Sequence, residues 1–346
     1  MSTLPPLPQE DLDHTRAVVG ERWQGLKGQH LFLTGGTGFV GKWLLATLLD
    51  AERHFQLGCR VTVLTRNPAA FRAQHPTLAD AAPVTLLSGD VRHFELPDEH
   101  YQRIVHAATD VAAAAQDIET FDTCVEGTRR VLELARRCHA DSLLLVSSGA
   151  VYGPQPGELA AIGEDHPGSA QTPQDTPAYT LGKKAAEWLA HVHAREHGLD
   201  LRVARLFAFV GPYLPLDKHF AIGNFLRDAL AGQPITLQGD GTPLRSYLHT
   251  ADLAAWLWTI LLDDRARGGI YNVGGSEAVS IRQLAERVVQ ATGSASSVTV
   301  LKQAVSGATP ARYVPDTSKA RRDLQLPAPI GLDDALRRTA AWLSAR

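Results

Sequence analysis

Leu31-Phe-Leu-Thr-Gly-Gly-Thr-Gly-Phe-Val-Gly41 is the stretch whose reading decides the fold. Residues 30–34 are a short apolar strand pattern, and a helical run extends from Val40 to about Arg53. Between them Gly35, Gly38 and Gly41 stand in G-x-x-G-x-x-G spacing, and Gly36, Gly38 and Gly41 also satisfy G-x-G-x-x-G. Glycines allow a tight turn and let backbone N–H groups approach a pyrophosphate at a helix N-terminus. Such a pattern alone is weak. A strand before it and an amphipathic helix after it give it weight. The segment predicts a dinucleotide-binding turn, with Gly35, Thr37, Gly38, Phe39, Val40 and Gly41 against the cofactor.

Outward from this turn, strand patterns recur at 61–64, 84–87, 104–106, 142–146, 201–207 and 270–273. Helical patterns at 126–138, 178–197 and 251–263 alternate with them. That alternation predicts an α/β fold, a doubly wound parallel sheet of the Rossmann kind. Residues 1–29 read as an extension carrying one helix over 10–27, with Leu12, Val18, Val19, Trp23 and Leu26 as its apolar residues. The pattern loosens from Gly211. The expected division is a dinucleotide domain of 30–207 plus about 247–273, and a smaller, mainly C-terminal substrate lobe of 208–246 and 274–346. Residues 153–177, rich in Pro, Gly, Gln, Ser and Thr without periodicity, read as a long functional loop.

In dinucleotide folds that bind NAD the second strand ends on an acid. Here it reads Val61-Thr-Val-Leu-Thr-Arg-Asn67, with Thr65 in the acid's place and Arg66 next. A guanidinium suits a ribose 2′-phosphate, so the segment favours NADP. If Arg66 merely covers the adenine, NAD binds instead.

Tyr179-Thr-Leu-Gly-Lys183 puts a phenol and an ammonium on one face of a predicted helix. A nearby cation favours tyrosinate, which would make Tyr179 a general acid/base at neutral pH. The fifth strand ends in Leu145-Val-Ser-Ser-Gly-Ala-Val-Tyr-Gly153, and parallel sheets present chemistry at strand carboxyl ends. Ser148 is expected to hold the substrate oxygen that Tyr179 protonates, whereas Ser147 reads as ordinary turn formation.

These residues, with Gly89-Asp-Val-Arg92, His106-Ala-Ala108, Arg205–Pro212, Gly239-Asp-Gly-x-x-x-Arg245, Tyr271-Asn-Val-Gly274 and Asp316-Thr-Ser-Lys-Ala320, occur in one order over about residues 30–325. In this the chain resembles the extended short-chain dehydrogenase/reductase family, in its NAD-dependent epimerase/dehydratase group, which modifies nucleotide sugars. The resemblance implies that Asp90 and Val91 hold the adenine and that Ala107 and Ala108 line the nucleotide ribose. It implies that Lys183 holds the nicotinamide ribose as well as tuning Tyr179. Thr109, Ser148, Gly149, Asn224 and Arg245 would meet the substrate, Arg245 gripping its diphosphate. A homodimer is also implied. Four positions depart from the family. Dehydratases of the group carry Asp-Glu after the Ser/Thr, where this chain has Gly149 and Ala150; Cys124 and Ala208 replace frequent asparagines.

Composition narrows the remaining classes. A formal charge of −3 gives no electrostatic case for nucleic acid or a membrane surface as partner. The longest apolar run of the second half, 253–262, is too short to span a bilayer, and residues 1–8 lack a signal-peptide pattern. Three cysteines without C-x-x-C spacing suit a reducing compartment, so a cytoplasmic location is expected. His191 and His193 do not share a helix face, and no metal site is expected. Trp256 and Trp258 read as core, and Glu164 and Asp165 as a solvated loop. The reading is an NAD(P)-dependent nucleotide-sugar epimerase working through a transient keto-sugar. Its rivals are an NADPH-dependent 4-ketoreductase of a nucleotide-linked keto-sugar and a non-catalytic cofactor-binding regulator.

Overall fold

The computed structural model describes residues 4–109, 117–169, 174, 176–218 and 220–345. Residues 1–3 of the expected extension, and 170–173 and 175 of the expected loop, lie outside the described residues.

Seven parallel strands form the central sheet: β1 (His30–Thr34), β2 (Arg60–Thr65), β3 (Val84–Ser88), β4 (Arg103–His106), β5 (Ser142–Ser148), β6 (Asp200–Leu206) and the strand Ile270–Val273. β1 and β5 are buried along their whole length. Helices cover both faces, which is why these strands read as continuous apolar runs. Leu31 and Leu33 join the apolar cluster of helix α2 (Phe39–Phe55) and the helix Thr250–Leu262. Phe32 points the other way, into the cluster of helices Asp117–Arg137 and Ala178–His197.

The strand order is Ile270–Val273, β6, β5, β4, β1, β2, β3. The chain winds outward from β1 to β3, then returns to β4 on β1's other side, so the sheet has a switch point between β1 and β4. Thr34 pairs with Leu64 and with His106, and Ser148 with Leu206. All the expected cofactor and catalytic residues near strand ends therefore lie along one carboxyl edge. The doubly wound fold is the one expected.

The helix Thr250–Leu262 is buried throughout, with Trp256 and Trp258 in the core as read. Trp258 Nε1 donates to Thr47 Oγ1 of α2 at 2.9 Å. The N-terminal extension departs from the single helix expected. Helix α1 (Gln9–Val19) stops at Gly20, whose φ of 60° leaves the helical region, and a tight 3₁₀ stretch, Gly20–Leu26, follows. That break turns Trp23 into the core, its ring 5.3 Å from Trp258.

Beyond the sheet, two-residue strands make a small sheet with Leu244–Arg245 between Val279–Ser280 and Arg312–Tyr313. The described part of the long loop rests on this region. Gln155 Oε1 accepts from Val314 N at 2.9 Å, and Ile162 bridges to Pro315. Among the described residues no helix is long and apolar enough to cross a membrane.

Candidate active site

The glycine turn after β1 is closed against its neighbours. Gly35 has φ +72°, and a Cβ there would lie 2.6 Å from the Ala107 carbonyl. A Cβ on Gly41 would lie 2.1 Å from the Gly35 oxygen. Both glycines are needed for backbone to pass this close. Gly38 caps the exposed start of α2, with Thr37, Phe39 and Val40 half-buried around it. Thr34 Oγ1 accepts from Ala107 N (3.2 Å) and Ala108 N (3.1 Å) and bonds His106 Nδ1 (2.8 Å). His106 Nε2 faces Thr128 Oγ1 at 3.1 Å. Burial pushes the His106 pKa down to about 3, so a neutral imidazole ties the β1 and β4 turns together. An accessible glycine-lined helix N-terminus beside this braced edge fits a dinucleotide.

At the end of β2 Thr65 is buried and Arg66 exposed. Among the described residues Arg66 has no ion pair or hydrogen-bond partner. After β3, both Asp90 carboxylate oxygens accept from Arg92, at 2.8 and 2.9 Å. Those bonds hold the Asp90 pKa down at about 2 and fix the carboxylate's orientation. Val91 is buried against Gly127.

Ser148 ends β5, its hydroxyl accepting from Ala150 N at 3.1 Å. Tyr179 and Lys183 share one face of the helix Ala178–His197, with Nζ 5.8 Å from the phenol ring centroid. The Lys183 ammonium is buried and donates to the Val146 carbonyl at 2.8 Å. Burial pushes the Tyr179 phenol up to about 12, opposed by the Ser148 hydroxyl. Burial also lowers the pKa of Lys183. Cys124 packs against the same helix: a Cβ on Gly182 would lie 3.1 Å from its Sγ. Burial raises that thiol's pKa, so it stays neutral.

A buried polar network underlies these residues, and the sequence reading missed it. Ser147 Oγ donates to the Glu187 carboxylate, which also accepts from Arg205 at 2.7 and 3.1 Å. Arg205 Nη1 donates to the Tyr152 hydroxyl (2.9 Å), which donates to Asn272 Oδ1 (2.9 Å). Ser147 is thus an anchor rather than a turn former. Glu164 is likewise no solvated loop residue: its Oε1 accepts from Asn272 N at 2.7 Å, and burial raises its pKa. Asp165 is exposed, as read. Arg205 lay inside a quoted motif, but nothing in the sequence joined it to Glu187.

On the substrate side the residues are less gathered. The Arg245 guanidinium donates to the Leu244 carbonyl (2.9 Å) and lies 5.8 Å from the Tyr313 ring centroid. Thr109 donates to the Ala108 carbonyl at 2.7 Å. Asn224 accepts from Arg227 at 3.3 Å on its own helix, and among the described residues no hydrogen bond joins it to Ser148, Tyr179 or Arg245. A Cβ on Gly149 would meet the Phe207 ring at 2.6–2.8 Å, so a side chain there requires Phe207 to move. The Phe207 ring lies 4.7 Å from that of Tyr313, a residue the sequence reading passed over.

Known proteins share this fold. UDP-glucuronic acid decarboxylase 1 of Arabidopsis thaliana is 29% identical over 322 residues, covering 91% of this chain and 69% of its own length. A dTDP-glucose 4,6-dehydratase of Streptomyces niveus is 27% identical over 322 residues, covering 90% and 92%. The crystal structure of UDP-glucuronic acid 4-epimerase from Bacillus cereus, in complex with NAD, matches with a TM-score of 0.78 at 22% identity, over 91% of this chain and 99% of that one. The model of the family described as "NAD dependent epimerase/dehydratase family" matches residues 31–274. With most of its length matched, the chain belongs to this family of NAD(P)-dependent nucleotide-sugar enzymes.

Proposed function

We propose that the protein is a nucleotide-sugar epimerase that works through a transient keto-sugar. One observation carries the reading. At the end of β5, Ser148, Tyr179 and Lys183 lie together, the two positions after Ser148 are Gly149 and Ala150 rather than acids, and the Phe207 ring fills the space that a Gly149 side chain would take. Elimination of water needs an acid–base pair at that place, whereas oxidation and return of a hydroxyl-bearing carbon does not.

A bound nicotinamide supplies the hydride acceptor and donor. Once it has lost its own proton, which the Ser148 hydroxyl favours, Tyr179 takes the proton from the reacting hydroxyl and returns it, while Ser148 holds the oxygen in both states. Lys183, anchored to Val146, keeps two further donors for the nicotinamide ribose. Thr34, His106 and the glycine turn hold the edge that receives the dinucleotide. Arg245, in the lobe formed by 208–246 and 274–346, grips the diphosphate. A second copy of the chain would cover the outer face of helices Asp117–Arg137 and Ala178–His197, where Ile118 and Trp188 are 79% and 66% exposed.

Incubation with UDP-glucose, UDP-glucuronic acid and dTDP-glucose, without added cofactor, tests the reading. The expected product has unchanged mass and altered chromatographic mobility. Loss of water or of carbon dioxide would overturn it. The NADPH-dependent ketoreductase reading draws on Arg66, exposed and unpaired among the described residues beside Thr65.

A further inference from the structure

Gly149 and Phe207 shape the ground beside Ser148. Gly149 follows Ser148 directly and is buried. A Cβ on it would lie 2.6–2.8 Å from three atoms of the Phe207 ring, so the ring edge rests on the Gly149 backbone. That ring is hemmed in. A Cβ on Gly274 would lie 3.1 Å from the Phe207 Cβ, and the rings of Tyr152 and Tyr313 stand 6.3 and 4.7 Å from it. Phe207 is nevertheless only half-buried, which leaves part of an apolar face open. The following residues, Ala150 and Ala208, add no polar side chain. The cations Lys183 and Arg205 are already engaged, with the Val146 carbonyl and the Glu187 carboxylate.

We propose that the sugar taken by this site is a 6-deoxyhexose, its C5 methyl group lying against Phe207 while C4 reacts at Ser148 and Tyr179. The proposal rests on the nucleotide-sugar reading above and adds to it the class of sugar.

In a hexose reacting at C4, the two neighbouring ring carbons carry the C3 hydroxyl and the C5 substituent. Of these, the C5 substituent is the one that an apolar wall can select. A hydroxymethyl group turned to Phe207 would lose its water and find no partner there. A carboxylate would bury a charge as well, with Lys183 and Arg205 already occupied. A methyl group gains apolar contact at no such cost. A pentose, with no C5 substituent, would leave the Phe207 face uncovered.

The test measures dissociation constants of UDP-6-deoxyglucose, UDP-glucose, UDP-glucuronic acid and UDP-xylose, with UDP alone and the corresponding dTDP compounds alongside, in wild type and Phe207→Ala. On the nucleotide that the wild type holds, the 6-deoxy sugar should bind about tenfold more tightly than glucose, as expected for one unpartnered hydroxyl. Xylose and glucuronic acid should also bind more weakly than the 6-deoxy sugar. Phe207→Ala should close the gap between 6-deoxyglucose and glucose and leave the affinity for the bare nucleotide unchanged. A wild type that binds any of the other three sugars as tightly as the 6-deoxy sugar would overturn the proposal. So would a variant that binds the nucleotide normally and keeps the full gap. If the variant does not fold, the wild-type order decides alone. Binding of neither nucleotide would sink the nucleotide-sugar reading and the proposal together, whereas the expected order in a protein that does not epimerise would refute the epimerase alone.

Discussion

Tyr179 faces two opposing influences. Burial holds its phenol near 12, and the Ser148 hydroxyl pulls the other way. Tyr179→Phe removes the titrating oxygen and little else. Turnover should fall by about 10²–10⁴-fold while calorimetric affinity for the nicotinamide dinucleotide stays close to wild type; comparable activity in the variant would remove Tyr179 from the chemistry. Arg66 is tested by contrast between cofactors. If it meets a 2′-phosphate, Arg66→Ala should weaken NADP by about 1.5–3 kcal/mol and leave NAD nearly unchanged, as titration of each would show. Equal effects on the two would make it a cover for the adenine. At this scale Ser148, Tyr179 and Lys183 were legible because their spacing carries chemistry. The burial that raises the Tyr179 pKa was not, because it comes from the packing around the helix Ala178–His197 rather than from residues near it in sequence.

The β1 turn and α2 form the element on which the cofactor reading depends. Gly41→Ala would drive a methyl group to 2.1 Å from the Gly35 oxygen, so the turn must open or α2 must shift. The expected cost is about 1–3 kcal/mol of stability together with a loss of dinucleotide affinity, measured by denaturant unfolding and calorimetry. An unchanged variant would mean that this turn is looser than described. The sheet was legible because strands buried on both faces, such as β1 and β5, must be apolar throughout. The break at Gly20 was hidden because helix-forming residues continue beyond it, and only the glycine's φ marks it. The anchoring network was hidden because Ser147 and Glu187 are 40 positions apart, and Tyr152 and Asn272 120. A two-residue strand such as Arg312–Tyr313 has no periodicity to read.

Across the whole molecule, the N-terminal extension is tied to the C-terminal helix Leu332–Ser344 and to the start of the helix Thr250–Leu262. Asp11 Oδ1 accepts from Arg338 at 2.9 Å, and Thr15 donates to the Ala251 carbonyl at 3.0 Å. Asp11 Oδ2 is buried without a hydrogen-bond partner, and His249 Nε2, 4.0 Å away, is in the same condition. Burial raises the Asp11 pKa from 3.8 to about 6. A raised folded-state pKa means that the fold prefers the protonated acid. This stabilisation is complete below 3.8 and is lost as pH rises through about 6. Asp11→Asn should therefore gain stability relative to wild type as pH is raised from 4 to 7, and parallel melting curves across that range would contradict this. The central claim concerns the joined action of all these parts: a sugar is oxidised and restored within one site. Its most direct test follows reduced-nicotinamide absorbance while purified protein, without added cofactor, converts one nucleotide sugar into another. The account predicts that the two sugars reach a constant ratio with no net change in that absorbance; a reaction that proceeds only with a keto-sugar and consumes NADPH mole for mole would contradict it.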